Sequence, residues 1–145
     1  MRSIEWHGGT VRMIDQRLLP RTFEMVSCDS PDEVAEAIRD MAIRGAPAIG
    51  AAAAFGLALA AHQSEAKTRD GMLTDLHEAA NILRAARPTA VNLSWAVSRM
   101  LKLAESEVDA AAMRVAVLNG AQKLADEDVE INRRLGEHGA ALIQD

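Results

Sequence analysis

The chain has no tyrosine and, in 145 residues, two tryptophans, two phenylalanines and one cysteine. That composition argues against a sheet that stacks nucleobases on aromatic rings and against an interface anchored on aromatic side chains. The lone cysteine, Cys28, has no internal partner, so a disulfide-stapled secreted fold is excluded. Basic residues are outnumbered, 16 Lys and Arg against 21 Asp and Glu, for a net charge of −5. Nucleic-acid-binding domains usually carry the opposite surplus, so no nucleic-acid partner is expected. The longest apolar run, Ala46–Ala61, is interrupted by Gly50 and Gly56. It falls short of the roughly 20 residues a membrane span needs. The opening Met-Arg-Ser-Ile-Glu-Trp carries no apolar signal region. The expectation is a soluble cytoplasmic chain with no membrane partner.

What is present fits a globular domain: 49% hydrophobic and 26% charged residues, with length for one domain. Ile4-Glu5-Trp6, Val11-Arg12-Met13-Ile14 and Phe23-Glu24-Met25-Val26 have strand-like composition, and Gly8-Gly9 between the first two is a hairpin signal. A three-stranded antiparallel sheet is predicted over residues 1–28. From Ser30 onward the chain reads as helix. Ser30, Pro31 and Glu33 together form a helix start with a capping box. Val34, Ile38 and Met41 recur on one face, and Gly45 and Pro47 are expected to end this helix. A second helix, Pro47 to His62, is apolar all round and should be central. A third is expected from Thr68 to Ala86, a fourth from Ala90 to Glu105 after the Arg87-Pro88-Thr89 break, and a fifth capped by Asp109. Along the fifth, Leu124, Ile131 and Leu135 repeat, and Gly136 and Gly139 should loosen its end. The fold class is therefore α+β, mostly α: residues 1–28 a small sheet, residues 29–145 a bundle of about five helices, together one domain. The long fifth helix carries more apolar residues than the preceding elements can cover, as if built to meet a partner.

Two arginines stand out by context. Arg44 precedes Gly45-Ala46-Pro47 and Arg87 precedes Pro88-Thr89, so each stands at the entrance to a helix. Unpaired backbone N–H groups and a partial positive charge at a helix start attract phosphate. A guanidinium beside them adds forked, charge-assisted hydrogen bonds. Gly45 leaves the backbone open to an anion. The bland alternative, commoner from spacing alone, is that both arginines end helices and face water.

Other candidates are weaker. His7, His62, His77 and His138 are scattered without metal-site spacing, so no metal is expected, and His62 and His77 should face solvent. Cys28 is read as a packing residue, although a following helix start could lower its pKa. Asp126, Glu127, Asp128 and Glu130 form an acidic run, normally a solvated face. Asp128 falls on the apolar stripe and needs a partner such as Asn132, Arg133 or Arg134, or a polar cavity. Trp95 is expected in the core.

Ile43-Arg44-Gly45-Ala46-Pro47-Ala48-Ile49-Gly50 and Ala86-Arg87-Pro88-Thr89-Ala90-Val91-Asn92-Leu93 resemble two motifs of the methylthioribose-1-phosphate isomerase family, which serves methionine salvage. Ile4-Glu5-Trp6 and the late Glu127-Asp128, Asn132-Arg133, Gly136 and Gly139-Ala140 also fit, so the resemblance spans essentially the whole chain. It implies a helical N-terminal domain with a small leading sheet, followed in the family by a Rossmann-like C-terminal domain absent from these 145 residues. It implies conversion of 5-methylthioribose 1-phosphate to 5-methylthioribulose 1-phosphate without cofactor, with Arg44, Gly45, Ala46 and Arg87 at substrate-binding positions. It implies, as partners, a phosphorylated sugar, the C-terminal domain and a second copy in a homodimer formed largely through that domain. The family's catalytic cysteine and aspartate belong to the C-terminal domain, and Cys28 does not match that cysteine. No catalytic residue is assigned here, and the chain is expected to be inactive alone, whether as a fragment, a truncated product or half of a split protein. The same superfamily contains regulatory subunits of translation initiation factor 2B, so the alternative is a non-catalytic regulatory or interaction module. A helical docking domain without a ligand is the third reading.

Overall fold

A computed structural model describes residues 2–143. Three strands come first: β1 (Ile4–His7), β2 (Thr10–Ile14) and β3 (Met25–Cys28). They form an antiparallel sheet in the order β1-β2-β3, with Ile4 opposite Met13 and Val11 opposite Cys28. Alternation puts Ile4, Val11, Met13 and Cys28 on one buried face. That face joins the same hydrophobic core as the helices.

Five helices follow: α1 (Pro31–Arg39), α2 (Ala46–Gln63), α3 (Arg69–Ala86), α4 (Val91–Glu105) and α5 (Ala110–Ala140). Helix α2 is the axis of the domain, contacting all four other helices and strands β1 and β2. By length and composition alone it is apolar enough to cross a membrane. Its burial identifies it instead as the core helix, since Ile49 through Leu59 are all covered.

Helix α1 starts as expected: the Glu33 N–H donates to Ser30 Oγ at 3.2 Å. The return bond is displaced by one residue, because the Glu33 carboxylate accepts from Asp29 N–H rather than from the cap itself. Its end differs from the expectation. The helix stops at Arg39, well before Gly45, because Met41 adopts the left-handed conformation (φ 58°). Ala42 N–H then donates to Ala37 O at 2.9 Å and Met41 N–H to Ile38 O at 3.3 Å, a Schellman ending with methionine where glycine is usual. The turn sends Ala42 and Ile43 into the core and leaves Met41 exposed, so Met41 does not continue the Val34–Ile38 face.

Helix α5 is about 46 Å long at 1.5 Å per residue. Its first half packs on α2 and α4, down to Leu124 and Ala125. Beyond that the apolar stripe emerges uncovered, with Ile131 and Leu135 exposed. Gly136 and Gly139 do not loosen it, since the helix runs on to Ala140. Trp95 also departs from expectation: it is 54% exposed. The buried face of α4 is Leu93, Ala96, Val97, Met100, Leu101 and Ala104, and Trp95 lies off that face, one turn beyond the exposed Val91.

Candidate functional site

Three helices carry a side-chain cap. Ser30 Oγ, Thr68 Oγ1 and Asp109 Oδ1 accept from the first turns of α1, α3 and α5. Helices α2 and α4 have none, because Gly45 and Ala90 stand at their cap positions. The first N–H groups of both therefore lack the side-chain acceptor that the other three possess. These two uncapped starts flank one open hollow of about 320 Å³.

Sequence and geometry agree on how the hollow arises. Gly45 takes φ 95°, a value that side-chain-bearing residues rarely adopt, and so turns the chain from the α1–α2 connection directly into α2. At Gly50 the backbone of α4 comes so close that a Cβ would lie 3.3 Å from Asn92 O. The small residue thus lets the start of α4 sit against the first turns of α2. Arg87 ends α3, and its carbonyl accepts from Ala90 N–H at 3.0 Å, which folds the Pro88-Thr89 turn back toward α4.

Of the four residues singled out in the sequence, Gly45, Ala46 and Arg87 line this hollow together. Arg44 does not; its side chain is exposed beside the entrance. Neither guanidinium has an acidic or hydrogen-bonding partner among the described residues, in contrast to Arg17, Arg99, Arg114 and Arg133. The arrangement offers two helix starts and an uncommitted half-buried cation on a chain of net negative charge, suited to a small anion. Nothing lining it is a histidine, cysteine or carboxylate, so the hollow can bind but supplies no acid–base group.

Sequence reasoning missed Gln16, Thr89 and Asn92. Thr89 and Asn92 line the hollow. Gln16 lies in the β2–β3 connection and meets the Ala42–Arg44 segment through two bonds. Its backbone N–H donates to Ala42 O at 2.8 Å, and its Nε2 donates to Arg44 O at 3.2 Å. The neighbouring Asp15 is buried and takes a bidentate contact from Arg17, which holds its carboxyl below the usual range.

A second, apolar groove of about 420 Å³ adjoins the first and shares Val91 and Asn92 with it. Trp95 and Ile131 stand on its walls, with Glu127 and Asp128 of α5. Arg99 pairs with Glu127 at 2.8 and 3.0 Å and lies 5.4 Å from the Trp95 ring centroid, so it ties α4 to α5 along this groove. That hydrogen bonding keeps Glu127 below the ordinary carboxylate range. Asp128 accepts from Asn132 Nδ2 at 2.9 Å, one of the partners expected for it.

Cys28 is buried on the sheet, and burial, reinforced by Glu33, Asp29 and Glu36, pushes its thiol up to about 11. It is a packing thiol, not a nucleophile at neutral pH. No metal-holding cluster occurs among the described residues.

Residues 42–145, which contain both helix entrances, match the family model described as initiation factor 2 subunit family. The chain belongs to the initiation factor 2 subunit family. Within it, this member is 48% identical over 143 residues to methylthioribose-1-phosphate isomerase of Synechococcus sp., covering 98% of this chain and 41% of that protein. The crystal structure of 5-methylthioribose 1-phosphate isomerase from Pyrococcus horikoshii superposes with a TM-score of 0.94 at 48% identity, over 99% of this chain and 41% of that one. The structure of translation initiation factor eIF-2B, subunit delta, from A. fulgidus gives 0.92 at 43% identity, over all of this chain and 42% of that one. This family member thus spans about two fifths of the length of the relatives it matches.

Proposed function

We propose that this chain is the substrate-holding part of an aldose–ketose isomerase acting on 5-methylthioribose 1-phosphate, with the sugar phosphate bound at the mouths of α2 and α4. The observation that carries this reading is the meeting of two helix starts without side-chain caps and the unpartnered Arg87 around one hollow. Phosphate oxygens would take N–H bonds from the first turn of α2, where Gly45 and Ala46 leave the backbone open. Arg87 would add a forked pair, and Arg44, beside the entrance, would close over the anion from outside. The reaction moves a proton between C1 and C2 of a held sugar and so needs positioned acid–base groups. The hollow has none, and the Cys28 thiol is held protonated. Turnover therefore requires groups beyond these residues, in a Rossmann-like C-terminal domain through which the protein would also dimerise. The isolated chain binds without converting. The metabolic relatives support a cytoplasmic setting.

Calorimetry of the chain with methylthioribose 1-phosphate tests this. Arg87→Ala and Arg44→Ala should each weaken binding by about 1.5–3 kcal/mol, the scale of a hydrogen bond to a charged group. Affinity untouched in both variants would remove the proposal. The likeness to eIF-2B subunit delta favours a second reading, a regulatory module of the same fold. Under that reading the chain binds no sugar phosphate at any accessible concentration.

A further inference from the structure

The second half of α5 carries a line of side chains that complements itself when reversed. Leu124, Asp128, Ile131, Leu135, His138 and Leu142 recur at alternating steps of four and three, the spacing that sets residues in one seam along a helix. A tight last turn continues the line past Ala140, where Leu142 N–H donates to Gly139 O at 3.0 Å. Leu124 is buried at the base of the groove against α4, whereas Ile131, Leu135 and Leu142 are exposed. We propose that a second copy of this chain covers this seam, in an antiparallel pair of α5 helices about a two-fold axis between Ile131 and Leu135. This surface is separate from the dimer contact assigned above to a C-terminal domain, and it does not depend on the anion hollow.

Setting Ile131 opposite Leu135 of the second copy brings Leu124 opposite its Leu142 and Asp128 opposite its His138. Each pairing occurs twice, as a two-fold interface requires. The polar members decide direction and register. A parallel pair would set Asp128 against Asp128, like charge against like charge. Sliding the antiparallel pair by one heptad would set Asp128 against Ile131, or His138 against Leu135, and bury a polar group without a partner. In the register given, an imidazole N–H donates to a carboxylate. Asn132 Nδ2 already donates to Asp128 Oδ1 at 2.9 Å, which leaves Oδ2 to accept it. The groove of one copy, walled by Val91 and Trp95, then receives the Leu142 end of the other. One contact therefore covers the exposed apolar residues of α4 and those of the protruding half of α5, which lie well apart on a single copy. Only the two Arg134 side chains, which flank the axis, meet as like charges.

The test is sedimentation equilibrium of the 145-residue chain over the micromolar range, with circular dichroism to confirm that each variant stays helical. A reversible dimer is expected.

Leu135→Asp, at an exposed position where folding is not at stake, should weaken that dimer about tenfold or more, the scale of a central interface residue. Asp128→Lys and His138→Glu should each weaken it as well, and the two together should restore it, because the swapped charges meet again across the pair. The two positions stand about 15 Å apart along one helix, so they cannot compensate within a chain. Arg134→Gln should tighten the dimer about twofold by removing the one like-charge contact. A chain that stays monomeric throughout overturns the proposal and gives the face to a different polypeptide. A dimer indifferent to Leu135→Asp forms elsewhere and overturns it too. If both single charge changes weaken the dimer and their combination does not restore it, the antiparallel register is wrong and the proposal falls.

Discussion

The side chain of Gln16 donates from Nε2 to the carbonyl oxygen of Arg44 at 3.2 Å, across 28 residues of sequence. Together with the Gln16 N–H on Ala42 O, it ties the loop after β2 to the residues immediately before α2. The small sheet thereby sets where Gly45 begins its turn into the hollow. Gln16→Ala should weaken phosphate binding by about 0.5–1.5 kcal/mol, the ordinary net value of one hydrogen bond. Gln16→Glu should be worse than alanine, because a carboxylate would face the Arg44 carbonyl with no proton to offer. Calorimetry beside a thermal melt checks this. A melt that drops while affinity stays constant would make the contact purely structural.

Gly45 offers a sharper separation of causes. No atom lies within 4 Å of where its Cβ would stand, so Gly45→Ala meets no steric obstacle. Its cost is backbone conformation alone, about 1–3 kcal/mol for a side-chain-bearing residue held at φ 95°. Denaturant unfolding should show that loss, and phosphate affinity should fall with it as the start of α2 re-aims.

The reverse change is available at Met41. It sits at φ 58° with its side chain exposed, so Met41→Gly removes strain and little packing. Stability should rise by about 1 kcal/mol, the cost of the left-handed conformation for an L-residue less the extra chain entropy of glycine. Chemical denaturation with an unchanged m-value is the measurement. A loss of stability would show that the Schellman ending depends on the methionine side chain.

Cys28 gives a pH dependence with a defined sign. Its thiol ionises near 9 when unfolded and at about 11 in the fold, chiefly because burial penalises the thiolate. The unfolded chain therefore releases this proton first as pH rises. The contribution is fully present below about pH 9 and is lost progressively up to about 11. Cys28→Ala should flatten that part of the stability profile. Thiol reagents should modify the native wild-type chain at neutral pH only as fast as it opens. Rapid labelling of folded protein would contradict the burial.

Local chemistry was legible residue by residue. Ser30, Thr68 and Asp109 announce three helix starts because a short polar side chain answers a need within its own turn. The alanine-rich, all-apolar stretch after Pro47 could only be central, and it is. Gly45, Ala46 and Arg87 were recognisable as an entrance, although Arg44 stands outside the hollow they form. The end of α1 was not legible, because a methionine occupies the left-handed position that glycine normally marks. Nor was the exposure of Trp95: composition places tryptophan inside, and only the rotation of α4 about its contacts with α2 decides otherwise.

The amino-acid order alone determined the elements, since capping, turn formation and hydrophobic period are settled among residues a few positions apart. Only the tertiary structure decided that two uncapped helix starts face one hollow, that Gln16 reaches Arg44, and that an apolar groove with two carboxylates lies alongside. Those juxtapositions join residues far apart in the chain. They are fixed by how closely glycine-bearing helices can approach, a quantity that no local pattern records.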